Sequence, residues 1–319
     1  MRGALGVLTD PVFQGFLSAS TRLAIPLLLA ALGGLFSERA GVLNIGLEGA
    51  MLAGAFVGFV AAFASGSSLV GVGAAIGAGA LFGTILALYA VALGANQVVV
   101  GISMNLFVAG ASAFAFRALF GPGAASPRVD ALTPLDLGAL ADIPAIGPLL
   151  FRQDALAYGA FALVAVSWFV VARTRFGLNI RAVGEQPEAA DSLGVDVGRT
   201  RHAALAISGA LAALGGAYLS LAATGVFIDN MTAGRGYIAL AILILGRRHP
   251  VGVLLAAWLF GAADASQLRA QLFPTGVPLQ FLLMLPYVLT LLVLAGFAGR
   301  VGAPAALGAP FRRGRRGDS

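Results

Sequence analysis

Long apolar segments separated by short polar stretches make up most of the chain. Several of them reach or exceed the ~20 apolar residues that an α-helix needs to cross the hydrocarbon of a bilayer. Counted along the sequence, they predict about nine crossings, near residues 14–36, 41–63, 69–93, 97–120, 154–172, 203–222, 235–247, 250–269 and 279–299. The pattern therefore predicts an all-α, polytopic helical membrane bundle that forms one integral-membrane domain over residues 1–319.

Two of the predicted crossings depart from a regular helix. The apolar run at 235–247 is short for a full crossing, and 41–63 begins with the polar stretch GVLNIGLE. Non-helical backbone at membrane depth is tolerated only where protein or a water-filled cavity covers it. Either segment is therefore a candidate for a broken or re-entrant helix. Interrupted helices in both halves of a transporter point toward its translocation path.

Small residues at the spacing of one helix face predict close helix packing, because in lipid they let two backbones approach each other. The two sets are Ala50, Gly54, Gly58 and Ala62, and Ala75, Gly79, Gly83 and Ala87.

The composition excludes several classes of protein. Only 11% of the residues are charged and 59% are hydrophobic, whereas soluble domains carry about 25% charged residues. The absence of a G-x-x-x-x-G-K-[ST] sequence assigns any ATP chemistry to another chain. No cysteine is available for disulfides or thiolate metal sites, and the two histidines have no metal-ligand spacing. We expect no enzyme activity, no metal and no cofactor in this chain.

Arginine placement predicts the topology, because basic residues concentrate in cytoplasmic loops. The arginine-rich stretches are 173–202, 247–249 and the basic tail 300–319. These are therefore predicted to be cytoplasmic, with the N-terminus and the loop 121–153 outside. The net charge of +6 is explained by these loops, and we predict no nucleic-acid partner.

Polar side chains inside the second and fourth crossings are candidates for a substrate path. Asn44 and Glu48 lie four residues apart and share one helical face, and a carboxylate at membrane depth is a functional candidate. The alternative is that Glu48 caps a helix or forms a salt bridge, for example to Arg39. Asn105 lies well inside its crossing, where an amide can bind a polar ligand or tie two helices together.

The stretch DNMTAGRG at 229–236 is predicted to be an external turn that opens a short apolar helix. Helix N-termini near glycine favour anions or polar oxygens, so Asp229, Asn230 and Thr232 are further path candidates. The alternative is a solvated loop in which Asp229 or Thr232 caps the helix.

A polar, charge-rich segment between apolar segments, residues 173–202, contains the sequence PEAADSLG. Proline is well placed to begin a helix at position 187, and a short amphipathic helix there would present Ala189, Ala190 and Leu193 to a groove in a partner. The alternative is a solvated loop with ordinary positive-inside charges. The predicted contact residues are Glu188, Ala189, Ala190, Leu193 and Gly194.

Several sequence blocks together resemble the permease subunits of bacterial ATP-binding-cassette (ABC) importers. The blocks are FSERAGVLNIGLEG at 36–49, NQVVVGISMN at 96–105, RAVGEQPEAADSLGV at 181–195, DNMTAGRGYIALAILILGRRHP at 229–250 and MLPYVLTLLVLAG at 284–296. The nucleoside and simple-sugar uptake permeases are the most similar group, with ribose and branched-chain amino-acid permeases more distant. The I-x-L-P ending that follows the E-A-A-x-x-x-G loop in many importer permeases is absent.

The resemblance implies an importer of the bacterial inner membrane built from four core subunits. Two permease chains, often different paralogues, form the pathway, and two cytoplasmic ATPase domains bind ATP and Mg. An external binding protein or lipoprotein delivers the ligand, and residues 173–202 form the ATPase-coupling loop. The expected cargo is a nucleoside, with simple sugars or branched-chain amino acids as the alternative. A rival of another class is an ion-coupled secondary transporter that uses Glu48 or Asp264.

Overall fold

The computed structural model of the chain describes residues 10–121, 127–133, 135, 151, 153–270, 281, 284–297 and 302–311. The described part is helical and contains no strand. Its helices are α1 (Pro11–Arg39), α2 (Leu47–Ser65), α3 (Ser68–Ala87, continued by a π-helical turn Leu88–Ala92), α4 (Gln97–Phe120), α5 (Ala155–Arg173), α6 (Arg175–Glu185), α7 (Pro187–Ser192), α8 (Val197–Ala217, continued by a π-helical turn Tyr218–Thr224), α9 (Arg235–Leu245), α10 (Pro250–Ala270) and α11 (Leu285–Phe297).

The predicted all-α membrane bundle is confirmed, although the number of long apolar helices among the described residues is not exactly the predicted count of about nine. Seven helices of the described residues are long and apolar enough to span a membrane. The predicted crossing at 235–247 is helix α9, whose 11 residues extend only about 16 Å, whereas the hydrocarbon core is about 30 Å thick. The crossing predicted at 279–299 and the loop predicted at 121–153 lie partly outside the described residues.

The predicted break in the second crossing is confirmed. Helix α2 begins only at Leu47, and residues 41–46 before it are not helical although most of them are buried. Gly41 adopts a φ of 79°, a left-handed conformation that glycine reaches without steric cost. The backbone amide of Leu43 donates to Oε1 of Gln97 on α4 at 2.8 Å. A side chain therefore supplies a bond that the helix would otherwise have made.

Helices α1 and α8 form the interior of the bundle. Helix α8 packs against α3, α1 and α2, and α1 also packs against α10 and α9. A methyl group added at Gly83 of α3 would overlap the carbonyl oxygen of Leu205, and one added at Gly216 would overlap that of Met51. Every member of the two predicted small-residue sets is buried. These residues hold α2, α3 and α8 close enough for direct backbone contact.

Candidate functional site

The predicted short helix that begins at Pro187 is confirmed as α7. Its C-terminal end is closed by a Schellman motif, in which the amide of Gly194 donates to the carbonyl of Asp191 at 2.9 Å and that of Val195 to Ala190 at 3.0 Å. Gly194 has a φ of 87°, which glycine favours at this position of the motif. The position of Gly194 after Ala189 and Ala190 therefore has a local structural reason, because the glycine ends α7.

The predicted contact residues of α7 divide into two groups. Glu188 and Ala189 are exposed, and Leu193 has 85% of its surface accessible. Ala190, however, is buried within this chain against Val183 and Val197. The expectation that Ala190 faces a partner is therefore wrong, because its side chain anchors α7 to α6 and α8. The surface that α7 offers consists of Glu188, Ala189, Ser192 and Leu193.

Residues 302–311, named here the C-terminal strap, lie against the same region. The amide of Ala306 donates to the carbonyl of Gly184 at 2.9 Å, and that of Gly308 donates to Gly41 at 3.0 Å. Phe311 packs against the apolar cluster that contains Ala190. The strap therefore connects the end of α6 to the non-helical segment before α2. The rest of the predicted basic tail lies outside the described residues.

Buried arginines strengthen this connection. Arg201 is 1% exposed, and it donates to the carbonyl of Ala40 at 3.2 Å and to that of Ala309 in the strap at 2.9 Å. Arg248 forms a buried ion pair with Glu38, with 2.5 Å between Nε and Oε2. Burying such groups is costly unless they are paired; Arg248 has Glu38 as its partner, whereas Arg201 is held by backbone carbonyls and its Nη2 has no hydrogen-bond partner among the described residues. A displacement of α7 would reach α1 and α2 through these contacts.

We predict that Phe311→Ala loosens the strap. Removing a partly buried ring from the cluster should lower the free energy of unfolding by about 1–3 kcal/mol, measured as a lower midpoint of thermal unfolding in detergent. Ala309→Ser, at an exposed position of the strap, is the matched control and should leave the midpoint unchanged. An unchanged midpoint for Phe311→Ala would mean that the strap does not stabilise the region.

A buried polar network joins the N-terminal ends of α2 and α9. Oε1 of Glu48 accepts hydrogen bonds from Oγ1 of Thr232 at 2.6 Å and from the amide of Gly234 at 2.8 Å, and Oε2 accepts from the amide of Gly236 at 2.6 Å. Glu48 therefore caps α9 from a neighbouring helix, where its negative charge also suits the helix dipole. The salt bridge suggested with Arg39 is not formed, because Arg39 donates to the carbonyl of Arg248.

The two asparagine candidates also bond within the chain. Oδ1 of Asn105 accepts from the amide of Gly49 at 2.8 Å, and its Nδ2 donates to the carbonyl of Ile45 and to Tyr237 Oη, both at 3.0 Å. Nδ2 of Asn44 donates to Ser208 at 2.9 Å. Glu48, Asn105 and Thr232 are thus brought together at the helix break, and their side-chain polar atoms are occupied by hydrogen bonds within the chain. Oδ1 of Asn44 is buried and has no hydrogen-bond partner among the described residues.

The remaining two path candidates lie on the turn before α9. Asp229 and Asn230 are both exposed, and Asn230 has a φ of 57°, a conformation that asparagine tolerates better than most residues. Ala233 in the same turn has a φ of 47°, which is strained for a residue with a Cβ atom. The three hydrogen bonds to Glu48 hold this turn in place.

A mainly apolar pocket that also contains several polar side chains lies beside that turn, between α1, α9, α10 and α11, and its volume is ≈ 340 Å³. Its polar lining residues are Arg235, Asp264, Gln267 and Tyr287. Asp264 is the one member that sequence analysis had named, and only as an ion-coupling candidate. Arg235, Gln267 and Tyr287 could have been found as polar side chains that lie at similar depths in neighbouring apolar segments. Among the described residues there is no cluster of acidic or histidine side chains that could hold a metal ion.

Comparison with known proteins places the chain among transport permeases. Residues 16–294 match the family described as branched-chain amino acid transport system / permease component. The guanosine ABC transporter permease protein NupQ of Bacillus subtilis is 39% identical over 302 residues, which cover 92% of this chain and 95% of that protein. The putative glucose ABC transporter permease protein TsgC13 of Haloferax volcanii is 40% identical over 261 residues, 81% of this chain and 78% of that protein.

A further relative has a similar extent. The nucleoside ABC transporter permease protein NupC of Lactococcus lactis is 37% identical over 295 residues, 90% of this chain and 93% of that protein. In B. subtilis and L. lactis a second, more distant permease protein with guanosine or nucleoside in its name is also similar to this chain, at 26% identity. No solved structure matches the chain. The chain belongs to the family of transport-system permease components, and it is a multi-pass membrane permease subunit of the ABC importer type.

Proposed function

We propose that this permease subunit takes up nucleosides as part of an ABC importer. The main support for a nucleoside cargo is the 39% identity to a guanosine permease over 92% of the chain. A nucleoside permease that is similar over 90% of the chain supports it further. The pocket beside α9 suits such a cargo, because within a mainly apolar lining it offers a guanidinium, a carboxylate, a carboxamide and a phenol to a neutral solute with an apolar ring and polar edges.

The proposed partners follow from the surfaces described above. A cytoplasmic ATPase that binds ATP and Mg would dock on the exposed residues of α7, so this chain would hydrolyse nothing itself. A second, paralogous permease chain would complete the pathway, in line with the paired permease proteins of the two bacteria. An extracytoplasmic binding protein or lipoprotein would approach the turn 229–234, with the N-terminus outside and the C-terminus in the cytoplasm.

Mechanically, closure of the ATPase dimer would move α7. The buried Ala190 and the C-terminal strap would pass that movement to α1 and to the segment before α2. Glu48 on α2 would pass it to the turn that opens α9. Only contacts that differ between the outward and inward states can couple ATP to transport. The Glu48 network supports an importer over an ion-coupled transporter, because this carboxylate already accepts three hydrogen bonds.

Sugar uptake is the second candidate, and the 40% identity to a putative glucose permease favours it. Uptake of radiolabelled guanosine by cells that express the complete transporter separates the two. Competition by unlabelled guanosine or adenosine, with none by ribose, glucose or leucine at equal concentration, is the expected result. Competition by glucose or leucine alone would contradict the nucleoside cargo.

A further inference from the structure

The pocket between α1, α9, α10 and α11 contains two charged side chains whose hydrogen-bonding groups the fold satisfies only in part. Nε of Arg235 is buried and has no hydrogen-bond partner among the described residues. Its Nη1 reaches only the backbone carbonyls of Met231 and Thr232, at 3.2 and 3.4 Å. Asp264 lines the same pocket as Arg235, yet within the described part of the chain it forms neither an ion pair nor a hydrogen bond. This contrasts with Glu48, whose carboxylate is fully bonded.

Charged groups that are satisfied only in part inside a membrane bundle require an explanation. Ionisable residues in membrane segments are costly and face water-filled cavities or mark substrate pathways. Asp264 lies within the spanning helix α10, and Arg235 is the first residue of α9. The pocket volume of ≈ 340 Å³ is within the range of roughly 300–1,000 Å³ that is usual for small-ligand sites. A second cavity of ≈ 680 Å³ shares Leu23 and Leu268 with it, so the pocket adjoins a larger space.

The chemistry of the lining indicates what kind of ligand would satisfy it. One positive and one negative group give no net charge, which suits a neutral solute that carries both donors and acceptors. The guanine base offers O6 and N7 as adjacent acceptors for an arginine, and N–H donors on the opposite side of O6. The carboxylate of Asp264 can only accept hydrogen bonds, so it suits these N–H donors. Adenine places a donor amine where guanine has O6, directly against the arginine.

We propose that this pocket is the subsite of the permease that recognises the base of a guanine-type purine nucleoside. Arg235 donates to O6 and N7, and Asp264 accepts from the N–H groups of the same base. Gln267 and the ring of Tyr287 complete the wall, and the hydroxyl of Tyr287 donates to the carbonyl of Ala233 at 3.3 Å. The proposal rests on the nucleoside function proposed above, and it adds the part of the ligand that is read and the residues that read it.

The site also has a connection to the rest of the molecule. Ala233 lies in the turn that Glu48 holds through Thr232 and Gly234, and Arg235 is the first residue of the helix that follows this turn. A base bound to Arg235 therefore lies next to the turn that the proposed movement of α2 would displace. The hydrogen bonds from Thr232 and Gly234 to Glu48, together with the backbone between Thr232 and Arg235, therefore connect the pocket to α2.

The test uses the complete transporter in proteoliposomes with radiolabelled guanosine and adenosine as probes. In the wild-type transporter we expect guanosine to be taken up in preference to adenosine. Asp264→Asn replaces one acceptor oxygen by a donor, and it should reduce that preference by about tenfold or more, a change of about 1.4 kcal/mol. Ser266→Ala, an exposed residue of the same helix outside the pocket, is the control and should keep the preference.

The possible outcomes distinguish a failure of the proposed base-recognition site from a failure of the proposed nucleoside function. No nucleoside uptake by the wild-type transporter overturns the proposed function and this site together. Nucleoside uptake with an unchanged guanosine preference in Asp264→Asn overturns the site alone. If Asp264→Asn fails to assemble with the ATPase on size exclusion, Gln267→Ala gives the same comparison, because its side chain lines the pocket without a buried charge. An unchanged preference in that variant also overturns the site.

Discussion

Reversing the charge of Glu188 to arginine, or replacing Leu193 by aspartate, is expected to abolish nucleoside uptake in a permease that still folds. Leu193 is 85% exposed at the C-terminal end of α7, where its apolar side chain is the proposed anchor for the ATPase. Truncating a central interface residue of this kind costs about 2 kcal/mol or more of binding free energy, so the ATPase should be lost from the complex at micromolar concentration.

A matched control distinguishes docking from general charge effects. Arg247 is an exposed arginine of the stretch 247–249, which is predicted to lie on the same side of the membrane but outside the coupling loop, so Arg247→Glu should leave ATPase binding unchanged. Ala190→Asp is expected to behave differently from both, because it places a charge in the cluster of Val183 and Val197 and should lower the stability of the permease itself. Normal uptake and normal ATPase binding in Leu193→Asp would show that α7 is not the docking surface.

The second large effect is expected for Glu48→Ala. This change leaves three donors without their acceptor, the hydroxyl of Thr232 and the amides of Gly234 and Gly236. Each buried donor left unsatisfied costs about 1–3 kcal/mol, and the dipole of α9 loses its compensating charge. We expect a strongly lowered midpoint of thermal unfolding in detergent, together with loss of uptake.

Glu48→Gln separates this account from ion coupling. The amide keeps one acceptor oxygen but turns an NH₂ group toward one of the donors, so an intermediate loss of stability is expected. Asp229→Asn, an exposed change on the same turn, should have no effect on the midpoint. A Glu48→Gln permease with full stability, whose uptake has only lost its dependence on an ion gradient, would favour the secondary transporter instead.

The helical features that depend on local sequence could be predicted, because they arise within one segment. Apolar length identifies the spanning helices, Pro187 begins α7, and the polar stretch after Arg39 indicates the break before α2. The apolar run at 235–247, already short for a full crossing, is the 11-residue helix α9, and composition alone does not reveal whether such a run extends through the bilayer. Small residues spaced along α2 and α3 identified their packing faces correctly.

The roles of the polar residues could not be predicted in the same way, because their partners are remote in sequence. Glu48 bonds to a turn more than 180 positions later, and Asn105 bonds to a segment about 60 positions earlier. Each was therefore a candidate for ligand contact until its partners were known. The direction of Ala190 was mistaken because a helix of 6 residues has too few turns to define an apolar face.

The central claim is that this permease binds an ATPase through α7, and one measurement tests it most directly. The tagged chain is purified from its native membranes in mild detergent, and the bound proteins are identified by mass spectrometry. The account predicts recovery of a Walker-motif ATPase that is lost when Glu188 is changed to arginine. A stable complex that contains no ATPase, or an ATPase that is equally retained by the Glu188→Arg chain, would contradict it.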